Sequence, residues 1–323
     1  MALRESITEI IKKELCPIPE DNQDPNHPFY FQSYEDNLIQ PMAPVHRDYE
    51  YGAGSGGELK AKGNHPAKMA SIASSSAMTF NILGNGCVTV NAGKRFAPGA
   101  YGIQYEKQLY TLNKGSNPAN LDAFLFNPEA REAIFCEMKM LEWLGAPGSL
   151  KDAYLQRENY FCEEAYDVFS EIARSMIDAE NKDGTYRSKF SQYDAWQMFK
   201  HTLAIFNGTS RCVKEKMNAK QANASVAGRY DKVTLVNVVF ELPPEYIRDP
   251  KICDQYCKAL VKEHTEADAF RKILLAPQYG LQELFQKRCG VEFDVVYLPV
   301  ARFVACFEKT ENEKQALKRY CCD

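Results

Sequence analysis

The sequence lacks the long apolar run that a membrane-spanning helix needs. Although 45% of its 323 residues are hydrophobic, no apolar stretch approaches the roughly 20 residues required to cross a bilayer. Residues 1–16 are amphipathic and charged, without the uninterrupted apolar segment of a signal peptide. We therefore expect a soluble globular protein with no membrane partner.

A regular spacing of cysteines is also missing. The chain has 11 cysteines, an odd number scattered along it, which is typical of a reduced, cytoplasmic compartment. Cys253 and Cys257 have no second Cys or His pair at useful spacing, so a structural zinc site is not expected. No glycine-rich phosphate loop is recognisable either, because the glycines at 52–57 (GAGSGG) precede no strand–helix unit and are typical of a linker.

The chain has no overall excess of positive charge. Its net charge of −4 argues against a protein that coats nucleic acid indiscriminately. Residues 182–232 differ, because ten Lys or Arg face four Asp or Glu there, a local net charge of +6. Such a segment is a candidate phosphate-facing surface. The alternative is a solvated surface with a chance surplus of cations.

Apolar periodicity predicts an α/β protein with a central mixed sheet flanked by helices. We expect an N-terminal extension at 1–64, which begins with a short helix and is otherwise irregular, and a single domain at 65–323 with its core at 96–242 and an α+β extension at 243–323. The predicted helices cover 68–80, 99–112, 150–180 (one or two helices), 191–206, 252–276, 280–287 and 311–319. The predicted strands, besides the hairpin described next, cover 231–242, 293–298 and 302–307.

Residues 120–141, NLDAFLFNPEAREAIFCEMKML, are typical of a β-hairpin. Each half is a run of aliphatic and aromatic residues, and 127–132 (NPEARE) supplies the turn between them. An antiparallel register centred on that turn sets Phe124 opposite Phe135. Because both faces of the hairpin are largely apolar, we expect the sheet to be covered on both sides.

The same register sets Asp122 opposite Glu137, and Lys139 shares a strand face with Glu137. Two carboxylates and an ammonium on an apolar sheet are costly unless a metal ion or a reaction uses them. Asp122 and Glu137 could share Mg²⁺, which prefers oxygen ligands, while Lys139 could position or deprotonate an attacking water or stabilise developing negative charge. This spacing suits metal-assisted phosphodiester hydrolysis. The alternative is an edge ion pair, which contributes little stability.

The predicted helix at 191–206 adds further polar groups. On a helical wheel the apolar stripe consists of Trp196, Phe199, Leu203 and Phe206. Polar groups that could bind phosphate or orient water lie on other faces: Tyr193, Gln197, Lys200 and His201. The alternative is that they form only the water-facing side of an amphipathic helix, and for His201 taken alone that interpretation is preferred.

These residues resemble the PD-(D/E)XK nuclease superfamily, which has the restriction-endonuclease-like fold. The motif Asp, gap, Asp/Glu-x-Lys is matched by Asp122 and by Glu137-Met138-Lys139. Many members carry an acidic residue on the preceding helix, to which Glu106 is similar, and several carry a Gln on a later helix, to which Gln197 is similar. Together with the hairpin, SIASSSAMTFN (71–81) and YDAWQMFKHTLAIFN (193–207) resemble a bacterial restriction endonuclease family.

The resemblance covers about residues 65–242 and implies a Mg²⁺-dependent deoxyribonuclease of restriction, defence or repair type, in which Mn²⁺ can substitute. DNA is the implied partner, and a homodimer is left open. The implied metal ligands are Asp122, Glu137, the backbone carbonyl of Met138, and Glu106. The implied catalytic residues are Asp122, Glu137, Lys139, Glu106 and Gln197, and the implied substrate-binding residues are Lys200, Tyr193 and His201.

The chain departs from the family pattern at two points. Leu121 replaces the proline of the motif, which many members also lack. Only two strands are clear between the Glu106 helix and the Gln197 helix, where the fold usually has three. The third strand could be short, or residues 81–90 (NILGNGCVTV) could supply it. One alternative is an inactive nuclease-fold module that binds DNA or is structural, which the retained catalytic trio disfavours. Another is a carboxylate–metal enzyme acting on a small molecule, which the +6 segment disfavours.

Overall fold

The structure is a computed structural model that describes residues 2–43, 45–51 and 57–322, so the predicted linker at 52–57 lies almost entirely outside the described residues. The helices are α1 (Leu3–Glu14), α2 (His46–Tyr51), α3 (Ser75–Leu83), α4 (Glu163–Met176), α5 (Ala195–Thr209), α6 (Arg211–Lys214), α7 (Ala219–Asn223), α8 (Pro250–Leu274), α9 (Leu281–Cys289), α10 (Val300–Val304) and α11 (Glu311–Leu317). The strands are β1 (Cys87–Val90), β2 (Gly99–Leu109), β3 (Ala119–Asn127), β4 (Glu132–Lys139), β5 (Leu150–Lys151), β6 (Ile177–Glu180), β7 (Thr185–Ser188), β8 (Lys232–Val239) and β9 (Glu292–Pro299).

The main sheet has the strand order β1-β2-β3-β4-β8-β9. The first four strands are antiparallel to their neighbours, whereas β8 and β9 continue the sheet parallel to β4. Parallel neighbours need long crossover connections; here these contain α4 and α5 before β8, and α8 and α9 before β9. The predicted α/β class and mixed sheet flanked by helices are confirmed. A smaller sheet has the order β5-β7-β6.

Both faces of the main sheet are buried, as predicted. Along β4, Ile134, Cys136 and Met138 point into a first core, shared with α1 and α3. Ala133 and Phe135 point into a second core, shared with α4, α5 and α9. Strands buried on both faces carry nearly continuous apolar runs, which explains why β4 is almost wholly apolar up to Glu137.

The hairpin prediction is confirmed in its strands and its register. Phe124 pairs with Phe135, and their stacked rings lie 4.6 Å apart between centroids. In the turn, the side-chain oxygen of Asn127 accepts a hydrogen bond from the Ala130 amide at 3.0 Å. The ladder runs to Ala123 and Cys136, so Asp122 follows on the next rung, level with Glu137.

Helix α5 confirms the predicted apolar stripe, since Trp196, Phe199, Leu203 and Phe206 are fully buried. Its start differs from the prediction by four residues. Asp194 caps the helix by accepting a hydrogen bond from the Gln197 amide at 3.0 Å, so regular helix begins at Ala195. The helix also continues through Gly208 to Thr209, beyond its predicted end.

The predicted helix at 99–112 is wrong, because this segment is the strand β2. Tyr101, Ile103 and Tyr105 alternate with less buried residues and point into the first core. The spacing of the tyrosines matches a helical repeat as well as the alternation of a strand. Pairing with the neighbouring strands β1 and β3 gives the segment its strand conformation. Strand β2 pairs with β3, while 81–90 contributes the end of α3 and strand β1.

The predicted strand at 302–307 is also wrong, because the chain turns at Pro299 and forms α10. Val300, Phe303 and Val304 are buried at helical spacing. The helix predicted at 68–80 divides into a short 3₁₀ turn and α3, since Ser74 caps α3. Of the region 150–180, only α4 is regular α-helix.

The first 64 residues contribute more to the hydrophobic core than expected of an N-terminal extension. Ile7, Ile11, Phe31 and Tyr49 are buried in the first core, so the expected extension covers one face of the sheet. At the other end of the chain, β9 is an edge strand of that sheet. Within the described part of the chain, no helix combines the length and hydrophobicity needed to cross a membrane.

We predict that Phe135→Ala lowers the free energy of unfolding by about 3–5 kcal/mol, because it removes a fully buried ring between two strands. Urea unfolding measures the change. Val261→Ala, at a side chain that is 66% exposed, is the control and should change stability by no more than about 0.5 kcal/mol. Equal effects of the two substitutions would contradict the assignment of Phe135 to the core.

Candidate functional site

The candidate site lies at the carboxyl end of β4, where the first turns of α5 meet the sheet. Glu137 and Lys139 point toward α5, and Lys139 Nζ lies 2.8 Å from Glu137 Oε1. Glu137 is only 4% exposed. Since an ionised carboxylate is costly to bury without partners, its contacts determine how this end of the sheet is built.

Two residues one turn apart on α5 complete the shell around Glu137. Gln197 Nε2 donates to Glu137 Oε1 at 2.7 Å, while Gln197 Oε1 accepts from Lys139 Nζ at 2.6 Å. His201 Nε2 lies 2.8 Å from Glu137 Oε2. Because an ionised carboxylate only accepts hydrogen bonds, Nε2 carries a proton and donates it. The structure thus brings together the predicted residues Glu137, Lys139 and Gln197.

His201 differs from the preferred interpretation that it faces water. It is 3% exposed and belongs to the buried shell of Glu137. Its second ring nitrogen, Nδ1, is buried and has no hydrogen-bond partner among the described residues. His201, four residues after Gln197, lies off the predicted apolar stripe, and only the position of β4 reveals its role.

The shell makes Glu137 a persistent anion. Burial raises the pKa of its carboxyl, but Lys139 and His201 outweigh that effect and lower it to about 2. Burial alone lowers the pKa of the Lys139 ammonium, yet Glu137 raises it well above its ordinary value. Lys139 is therefore a cation here, which favours charge stabilisation over proton abstraction.

Asp122 is held on the neighbouring strand by the backbone of β4. Its Oδ2 accepts a hydrogen bond from the Met138 amide at 2.6 Å. Burial raises the pKa of Asp122 well above its usual range, and the nearby Glu137 and Glu106 raise it further. The carboxylates therefore repel one another. The predicted metal role of the Met138 carbonyl stays a prediction.

Glu106 lies on strand β2, not on a helix as predicted. The pairs Tyr105–Ala123 and Lys107–Leu121 flank it and set it level with Asp122. Its backbone is left-handed, with φ of 48°, a conformation that is uncommon outside glycine. Burial, followed by the charges of Glu58 and Glu137, raises its pKa to about 8. Glu106 thus joins the carboxylate group from a different element than expected.

The sequence interpretation missed an acidic residue in the N-terminal segment. Glu58 Oε1 pairs with Lys68 Nζ at 2.7 Å, and Ser76 Oγ donates to Glu58 Oε2 at 3.0 Å. The charge of Glu58 raises the pKa of Glu106, and that of Lys68 lowers it. The sequence feature that could have indicated Glu58 is Ser76 in the stretch 71–81, because a buried hydroxyl needs a polar partner.

The two remaining predicted substrate-binding residues occupy different surroundings. Tyr193 precedes α5, is buried, and its ring lies 5.4 Å from that of Phe270, so it is not on a helical face. Lys200 is partly exposed on α5. Burial lowers its pKa, Asp194 opposes this effect, and Lys151 adds to it.

Two cavities meet at this end of α5. The first, here called the α5 cavity, has a volume of about 390 Å³, and its polar lining includes Asn117, Asn120, Lys151, Asp194, Gln197, Lys200 and His201. The second, here called the Lys139 cavity, has a volume of about 160 Å³ and is lined by residues that include Lys139, Tyr193, Asp194, Gln197, Asn237 and Glu263. Gln197 and Asp194 line both cavities.

Across residues 2–43, 45–51 and 57–322, no group of three or more His, Cys, Asp or Glu side chains is arranged so that it could hold a metal by itself. Magnesium commonly takes one or two protein carboxylates and completes its shell with water and substrate phosphate. Asp122 and Glu137 are donors of that type.

No protein-family model, curated protein or solved structure matches this chain.

Glu263 is a buried acid that forms part of the wall of the Lys139 cavity. It lies on α8, is 2% exposed, and its Oε2 has no hydrogen-bond partner among the described residues. Burial raises its pKa to about 8, with further contributions from Glu266 and Asp194. The folded protein therefore holds a proton on Glu263 under conditions in which the unfolded chain releases it.

We predict that Glu263→Gln stabilises the fold at alkaline pH. Because the folded pKa lies above the unfolded value of 4.5, wild type loses stability as pH rises from about 4.5 to about 8. The variant lacks this titration, so its advantage should grow over that window and reach about 1 kcal/mol or more. Urea unfolding at pH 5 and pH 8.5 measures it; a difference that is independent of pH would contradict the prediction.

Proposed function

We propose that this protein is a Mg²⁺-dependent deoxyribonuclease with a site like that of the PD-(D/E)XK nucleases, in a restriction-endonuclease-like core. The observation that carries the proposal is the meeting of Asp122, Glu137 and Lys139 at the end of one hairpin. Gln197 bridges Glu137 and Lys139 from α5. Adjacent strands thereby supply oxygen donors and a cation at a single place, as phosphodiester hydrolysis requires.

The donor set fits a hard divalent cation. Asp122 and Glu137 would hold Mg²⁺, with the Met138 carbonyl and Glu106 completing the protein ligands. Burial, with a further contribution from neighbouring acids, raises the pKa of Asp122 and Glu106. A bound cation would relieve the repulsion between these carboxylates. When bound, Mg²⁺ supplies Lewis acidity toward a phosphate oxygen and toward water.

Lys139 acts as a positive charge near the reacting phosphate. Its pKa is raised by Glu137, so its ammonium stabilises negative charge that develops on the phosphate and does not serve as a base. Gln197 accepts from Lys139 and donates to Glu137, which orients both groups. Because the Gln197 amide contacts both Glu137 and Lys139, it holds the Lys139 ammonium in one orientation.

The α5 cavity is the proposed place for the substrate strand beside the cut. Lys200 and Lys151 line it, and Asn117 and Asn120 add amide groups. Ammonium and amide donors bind phosphate and sugar oxygens without reading base sequence. His201 also lines this cavity. Its Nδ1 is buried without a hydrogen-bond partner among the described residues and is an acceptor when the ring is neutral.

A second candidate is an inactive nuclease-fold module that binds DNA or is structural. One observation favours it: protein donors occupy both carboxylate oxygens of Glu137, since Lys139 and Gln197 contact Oε1 and His201 contacts Oε2. In this second function the same network would serve stability alone, and a cation would compete with it. Measurements of metal binding and of cleavage separate the two candidates.

We predict that Lys139→Ala lowers Mg²⁺-dependent cleavage of plasmid and linear DNA by about a hundredfold or more, because it removes the charge nearest the proposed reacting phosphate. Gel assays with and without EDTA measure the rate. Lys272→Ala, at an exposed side chain on α8, is the matched control and should cut like wild type. Absence of metal-dependent cutting by wild type, or equal cutting by Lys139→Ala, would overturn the proposal.

We also predict that Asp122→Asn weakens Mn²⁺ binding by roughly ten- to a hundredfold, because it removes one anionic ligand while an amide oxygen can still accept from the Met138 amide. Isothermal titration calorimetry in the absence of DNA measures the dissociation constant. If wild type binds Mn²⁺ no better than Asp122→Asn, the inactive module becomes the preferred function.

A further inference from the structure

A large basic cavity lies at the end of the main sheet opposite the candidate catalytic residues. We call it the basic cavity; its volume is about 630 Å³, and it is lined by Arg131, Thr209, Arg211, Lys214, Val226, Gly228, Arg229, Tyr230, Arg288, Cys289, Gly290 and Val291. Five of these lining residues are Lys or Arg and none is Asp or Glu. Such a surplus of one charge in a concave space raises the local concentration of anions.

The cations of the basic cavity differ in how far they are neutralised. Arg131 pairs with Asp231 at 2.7 Å, and Arg288 pairs with Glu164; both acids lie outside the lining. Within the part of the chain that the structure describes, no carboxylate lies within salt-bridge distance of Arg211 or Arg229. These two arginines are exposed and available to a ligand.

Lys214 adds a third cation to the lining of the basic cavity. Its Nζ donates to the Val226 carbonyl at 2.7 Å. Burial lowers its pKa, and Arg211 contributes to the lowering. Like charges are thus held close together, and an anion bound between them would relieve their repulsion.

The basic cavity is separate from the catalytic site. Arg131 precedes the first residue of β4, whereas Glu137 and Lys139 lie near its end. With a rise of about 3.3 Å per residue, the two ends of β4 are roughly 20 Å apart. Helix α5 spans the same interval, with Gln197 near its start and Thr209 at its end. A phosphate at Glu137 therefore cannot also contact Arg211 or Arg229.

We propose that the basic cavity is a second binding site that takes the phosphate groups of a nucleotide or nucleic-acid strand. Guanidinium groups bind phosphate through paired N–H donors, so Arg211 and Arg229 supply the phosphate contacts. The volume lies within the range of small-molecule sites. Tyr230, Val226 and Val291 form an apolar wall, the type of surface against which a sugar or base packs.

This proposal does not depend on nuclease activity, since it concerns binding at a distant site. The proposal gives a binding role to some of the cations in the positive segment at 182–232. Three cations of that segment meet in the basic cavity, whereas others are paired elsewhere: Arg187 with Asp178, and Lys232 with Glu132. The segment is therefore not one continuous surface, and its unpaired arginines collect at one end of the sheet.

The test compares two probes, adenosine triphosphate and a short DNA duplex, by titration in EDTA, which prevents metal-dependent cutting. The variant is Arg211→Ala with Arg229→Ala. We expect it to weaken the probe that binds by roughly a hundredfold, since each charged hydrogen bond to phosphate contributes about tenfold or more. For DNA, the slope of log affinity against log salt concentration should fall by about 2.

The control is Lys258→Ala with Lys272→Ala, which removes two exposed cations from α8 and the same net charge. Selective loss of triphosphate binding identifies a free nucleotide as the source of the phosphate, and selective loss of DNA binding identifies a strand. Failure of wild type to bind either probe at millimolar concentration, or equal weakening by the arginine and the control variants, overturns the proposal. Unchanged thermal unfolding of the arginine variant shows that its fold is intact.

Discussion

The buried carboxylate of Glu137 is the constraint on which this end of the molecule depends. A charge that is only 4% exposed is stable only where donors replace water around it, and removal of one partner of such a group commonly costs about 3–5 kcal/mol. Lys139 provides one donor from the same strand, while Gln197 and His201 provide two from α5. The position of α5 on the sheet is therefore tied to one anion, and the same contacts hold Lys139 as a cation beside it.

The connection between the parallel strands β4 and β8 contains α5, and the two ends of this helix lie near different groups of charged residues. Because α5 lies within that connection, it runs from the carboxyl end of β4 back toward the start of β8. Its first turns carry Gln197 and His201 toward the carboxylates, and its last residue, Thr209, borders the basic cavity. One face of the sheet thus presents acidic groups at one end and arginines at the other, about the length of α5 apart.

The hairpin was predictable because it depends on local sequence. A turn between two apolar runs sets the register, and Phe124 opposite Phe135 follows from it. The strand conformation of β2 was not predictable from local sequence, because the spacing of its tyrosines fits both a helical and a strand period. Its partner β3 is separated from it by a connecting segment, so no short turn signals their pairing. The interpretation of His201 as water-facing was wrong for a related reason. A polar residue off the apolar stripe of a helix is ordinarily exposed, and His201 is buried because it contacts Glu137.

The sequence by itself determined the α/β class, the hairpin with Asp122 level with Glu137, and Lys139 beside that pair, because strand alternation and turn chemistry act over a few residues. Tertiary structure alone decided that Glu106 reaches the carboxylates from a left-handed position on β2, that Glu58 and Lys68 stand next to it, and that Arg211 and Arg229 collect far from Lys139. Those arrangements join segments distant in the chain. Their partners are set by burial and charge balance across the sheet, which no local pattern encodes.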